Sequence, residues 1–112
     1  HGFVSRACLA ASRLGQRRLD IWMIESVHFM EILSSTDWAF PSHASNFEPN
    51  LIVCIEHTLE QKINAIASYR NVMREFRHPR SREVLKGLSA YRGGQSGLRY
   101  AEAFQTVYKR GL

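Results

Sequence analysis

Residues 51–55 (Leu-Ile-Val-Cys-Ile) form a continuous apolar run, and what flanks that run limits the fold. Upstream, residues 34–50 carry turn chemistry: Ser34-Ser35-Thr36-Asp37, Pro41-Ser42, Ser45-Asn46 and Pro49-Asn50. Downstream, Leu59, Ile63, Ile66, Arg70 and Met73 recur at steps of three and four residues. A run this short suits a strand buried on both faces, and the stripe after it suits an amphipathic helix. A strand feeding a helix is the repeating unit of α/β folds. Thr58 and Gln61 have capping-box spacing, which predicts a helix over residues 58–75.

The rest of the chain fits the same class. Phe3, Val4, Ala7, Cys8, Ala11 and Leu14 give residues 2–14 one apolar helical face, with Gly15 placed to end it. Residues 21–24 and 29–33 read as strand or a strand pair. Pro79 disfavours helix at His78. Ser81 can then cap a helix that turns Val84, Leu85, Leu88 and Tyr91 inward and stops at Gly93-Gly94. A last helix is expected over about 98–109, burying Ala101, Phe104 and Val107 or Tyr108. Two or three strands with about four helices make a small sheet with an unpaired edge. The expectation is one domain, residues 1–112, that belongs to a larger α/β sheet and lacks strands on its N-terminal side.

Composition narrows the class. No stretch nears the ~20 apolar residues that span a bilayer, and no basic-then-apolar leader opens the sequence. Cys8 and Cys54 lie far apart in apolar surroundings and read as reduced, buried hydrophobes of a cytoplasmic protein. The net charge of +5 is spread over both signs. Glu60 stands beside Lys62, the basic residues make no single stripe and no nucleic-acid motif occurs, so no nucleic-acid partner is expected. The loop at 34–50 contains Trp38, Phe40 and Phe47, which suits a segment held over a site.

Four segments carry a resemblance, and the N-terminal helix extends it. Ser34-Ser35-Thr36-Asp37-Trp38 followed by Phe47-Glu48-Pro49-Asn50 resembles the SSTDW…FxPN segment of bacterial PIG-L/LmbE-like zinc-dependent deacetylases. Glu75-Phe76-Arg77-His78-Pro79-Arg80-Ser81 is similar to that family's EFxHPRS. Residues 91–104, with Arg92-Gly93 and Tyr100-Ala101-Glu102-Ala103-Phe104, resemble its RGxxxGxxYAEAF ending. The helix start Thr58-Leu59-Glu60-Gln61-Lys62 also resembles the family's. His1, Val4, Ala7, Leu9, Ala11 and Arg13 fit its DHxxVxxAxxxAxR helix, whose histidine is the last of three zinc ligands.

The resemblance implies a partial Rossmann-like LmbE-type fold and a fragment of a hydrolase. That hydrolase removes the acetyl group from an N-acetylglucosamine-type sugar conjugate. It implies zinc as cofactor and His1 as a metal ligand. Zinc with three protein ligands lowers the pKa of bound water to ~7, and a carboxylate relays the proton. The family draws its other two ligands and its general base from an AHPDDE motif, and the chain contains none. No catalytic residue is therefore assigned, and the segment is expected to be inactive alone. Asp37, Trp38 and His43 are the candidate substrate contacts, Trp38 as a stacking surface for the sugar. His28, His57 and His78 read as structural or surface residues, and Glu102 as one half of an ion pair with Arg99 or Arg92. Association with another copy, or with a missing N-terminal half, is expected. The competing reading is a degenerate, non-catalytic homologue that serves as an interaction subunit.

Overall fold

The computed structural model describes residues 2–15, 17, 23–33 and 47–111. Among them the order of elements is α1 (Gly2–Gly15), β1 (Ser26–Met30), β2 (Leu51–Cys54), α2 (Leu59–Ala67), α3 (Arg82–Gly94) and β3 (Ala101–Lys109). The strands form one sheet in the order β1-β3-β2. The mixed α/β class is as the sequence indicates. The chain divides into two compact units, one of residues up to Phe29 with those from Thr106 onward, the other Met30–Gln105.

The second unit holds the core. β2 pairs antiparallel with β3, Leu51 opposite Phe104 and Cys54 opposite Ala101. The ladder continues at both ends, where Asn50 N–H donates to the Phe104 carbonyl and Ile55 N–H to that of Tyr100. Ile55, Leu59 and Ile63 are buried together, with Met73 and Tyr100 packed against them. Burying an Ile or Leu side chain stabilises by about 1.5–3 kcal/mol, so this apolar stripe is what fixes α2 beside the sheet. α2 packs on α3, and α3 on β2.

β3 overturns the expected last helix. Residues 101–104 alternate, with Ala101 and Ala103 buried and Glu102 and Phe104 half-buried. Thr106, Val107 and Tyr108 then add strand-forming side chains. The same residues also fit a helical spacing; two neighbouring strands decide for the strand. The helix expected over 58–75 stops at Ala67. Ser68 Oγ donates to the Ala65 carbonyl at 2.6 Å, and Asn71 takes a left-handed φ of 60°. Met73 still reaches the core, through a turn instead of a helix. The Thr58 hydroxyl makes no cap bond, and turns instead to the Ile55 carbonyl at 3.5 Å.

Other expectations need correction. β2 is a strand, but it lies at the edge of the sheet that the described residues form, and Leu51, Val53 and Cys54 are exposed instead of buried on both faces. Cys8 is exposed as well. Tyr91, expected inward, is 61% exposed. Met23 and Ile24 lie outside any strand, and β1 starts at Ser26.

In the first unit, α1 forms as expected, yet Phe3, Val4 and Leu14 on its apolar face are exposed. Two bonds show how β1 meets the far half of β3. Arg110 N–H donates to the Glu25 carbonyl at 2.7 Å, and His28 Nδ1 lies 2.9 Å from Thr106 Oγ1. As one residue number falls the other rises, which is antiparallel pairing.

Candidate functional site

The candidate site is a cleft in the second unit, lined by Glu31, Lys62, Leu88, Ser89, Arg92, Ala101, Glu102 and Ala103. Four stretches of sequence meet there: the segment after β1, α2, α3 and β3. α3 owes its position to its start. Ser81 is extended (φ −74°, ψ 156°), buried, and accepts the Val84 N–H on Oγ at 3.2 Å, which supplies the cap the sequence indicates. Its far end is fixed by Gly93, where an added Cβ would stand 2.5 Å from the Leu98 carbonyl oxygen and 2.9 Å from Arg99 backbone atoms. Only glycine lets the chain leaving α3 pass so close on its way into β3. Gly97, at φ 73°, makes the turn.

Two ion pairs cross the cleft. Arg92 presents Nε and Nη2 to the two carboxylate oxygens of Glu31, at 3.0 and 2.6 Å. This is the two-pronged geometry in which guanidinium and carboxylate match best. Both side chains are largely buried, 13% and 17% exposed. The bond to Glu31 is the main reason that the Arg92 pKa rises above its ordinary value. Lys62 Nζ meets Glu102 Oε1 at 2.8 Å, in a more open position. Glu102 is thus paired by Lys62, forty residues away, and not by Arg92 or Arg99. Ser89 Oγ donates to the Leu85 carbonyl at 3.0 Å, as a hydroxyl committed to its own helix.

The cleft encloses about 10 Å³, the room of a single water. Pockets for small molecules are tens of times larger. Each charge has its opposite and the serine is occupied. The arrangement joins elements; it has neither the space for a sugar ring nor an available nucleophile. Among the described residues no group of three or more His, Cys, Asp and Glu could hold a metal ion.

His1, Asp37, Trp38 and His43 lie outside the described residues. The other histidines are placed. His57 is exposed in the turn before α2. His28 is exposed on β1 beside Thr106. His78 is half-buried, and its Nδ1 accepts the Arg80 N–H at 3.1 Å. Phe47-Glu48-Pro49-Asn50 runs beside the far end of the β2–β3 pairing, where Glu48 N–H donates to Gln105 Oε1 at 3.2 Å. The Glu31–Arg92 pair was not expected, and its partners stand 61 residues apart with no local pattern to link them. Comparison with family models, curated proteins and solved structures finds no match.

Proposed function

We propose that this chain is the C-terminal portion of a PIG-L/LmbE-like zinc-dependent deacetylase with a Rossmann-like fold. It would act on an N-acetylglucosamine-type sugar conjugate. One observation supports the reading above others. Segments that resemble the family in separate parts of the sequence have interlocking roles. Lys62 of Thr58-Leu59-Glu60-Gln61-Lys62 pairs with Glu102 of Ala101-Glu102-Ala103-Phe104. Arg92 pairs with Glu31, and its neighbour Gly93 admits the backbone that leads into β3. Ser81 of the Glu75-to-Ser81 segment caps the helix that carries Arg92. Two of these segments, 58–62 and 91–104, meet at the cleft through that Lys62–Glu102 pair.

In this reading the described residues are the frame and not the catalytic set. They do not fit a zinc ion: Glu31 and Glu102 are each held by a cation, and no histidine or cysteine lines their cleft. His1 is the ligand this chain would offer, and Asp37, Trp38 and His43 the substrate wall. The AHPDDE ligands are absent from its 112 residues and would come from elsewhere in the protein or from another chain. The test compares acetate release from N-acetylglucosamine conjugates, with added zinc, by residues 1–112 alone and by the full-length protein. Release by the full-length protein only, stopped by a chelator, is the expected result. Chelator-sensitive release by residues 1–112 alone would contradict it.

A further inference from the structure

Residues 70–82 carry five arginines, Arg70, Arg74, Arg77, Arg80 and Arg82, against one carboxylate, Glu75. The whole chain reads as a mixed-sign surface; this loop is different because the backbone closes on itself. Arg74 N–H donates to the Arg80 carbonyl at 3.4 Å, and Arg74 forms a parallel bridge with Ser81. Arg74 and Arg80 therefore stand side by side, and the charges of both act on His78 between them. Pro79 and Ser81 are buried and hold the loop in place.

In the cleft every cation has a carboxylate. Arg74 and Arg80 have none among the described residues, and the exposed Glu75 and Glu83 pair with neither. Arg80 is half-buried, and its Nε is closed to solvent with no acceptor among the described residues, so a ligand would meet this guanidinium at its Nη atoms. A guanidinium stays protonated, so its charge cannot be shed as a lysine's or histidine's can. A partly buried cation without a counter-ion keeps its desolvation cost unrelieved. A carboxylate satisfies one guanidinium fork with its two oxygens; a phosphoryl group has oxygens enough for two forks.

We propose that this loop is a phosphate site, in which Arg74 and Arg80 together hold the phosphoryl group of a phosphate ester. The site stands whether or not the deacetylase reading does. The ester has two possible sources, a small soluble molecule or a lipid headgroup, and the test separates them.

Residues 1–112 are titrated with inorganic phosphate, following the side-chain Nε–Hε signals of the arginines by NMR. In parallel they are sedimented with phosphatidylcholine vesicles with and without phosphatidylglycerol. The expected result is saturable binding of at least one probe, with the Arg74 and Arg80 signals moving together. Arg74→Gln, at an exposed position, should weaken binding about tenfold or more. Arg99→Gln, also exposed but set over the Tyr100 ring, should leave it unchanged. Binding of free phosphate assigns a soluble ester, and binding of the anionic vesicles alone assigns a headgroup; both support the site. No binding of either probe overturns it, as does binding that Arg74→Gln leaves intact.

Discussion

Glu31 and Arg92 carry the strongest side-chain interaction in the cleft, and its energetics follow from geometry and burial. A largely buried carboxylate facing a guanidinium at 2.6 Å cannot be removed without stranding the cation. Glu31→Gln should therefore cost about 2–3 kcal/mol, read as a lower denaturant midpoint at unchanged slope. A change within 0.5 kcal/mol would show the pair to be an exposed surface contact. His78 gives a second residue-scale expectation. Burial, then the charges of Arg80 and Arg74, lower its pKa below the usual 6.5. Its Nδ1 takes the Arg80 N–H, which only the neutral ring can do. The unfolded chain thus binds the extra proton first as pH falls through about 6.5, so stability is full above that value and declines below it. His78→Asn keeps an acceptor without a titrating ring. Between pH 7 and pH 5 its melting temperature should fall less than that of the parent chain; equal slopes would sink the assignment.

At the scale of elements, local chemistry was legible for α1 and for the start of α3, and misleading for α2. α1 and the start of α3 follow from apolar spacing and from Ser81, and both are found. β3 was not legible, because Ala101, Phe104 and Tyr108 satisfy a helical period as well as the strand that forms. Its choice is made by β1 and β2, far away in sequence, where a local reading has no access. The early end of α2 is a different case, because local features compete there: the Ser68 hydroxyl and the left-handed Asn71 outweigh a stripe that runs on to Met73. The glycines of α3 separate helix propensity from packing. Gly87 has open space around a would-be Cβ, whereas Gly93 has backbone within 2.5 Å. Gly87→Ala should stabilise by about 0.5–1 kcal/mol. Gly93→Ala should destabilise by roughly 1–3 kcal/mol or more, since the clashing atoms are backbone. Thermal melts of the two variants that shift in the same direction would contradict the close passage of residues 98–99 over the helix.

For the whole molecule, the α/β class was readable from composition and periodicity, and the antiparallel pairing of an exposed edge strand was not. Apolar residues at 51–55 look alike whether a strand is central or at an edge, because only the rest of the sheet distinguishes the two. The candidate site divides likewise. The residues that resemble a family ending come together at a cleft, but as paired charges around space for one water. The reading as a zinc deacetylase therefore turns on His1. The direct measurement is zinc content and acetate release of the full-length protein carrying His1→Ala, beside His57→Ala at an exposed position before α2. His1→Ala should lose bound zinc and activity while its circular dichroism spectrum and melt stay unchanged, since one missing ligand leaves the metal an incomplete set. His57→Ala should keep both. Full zinc content and full acetate release in His1→Ala would contradict the account.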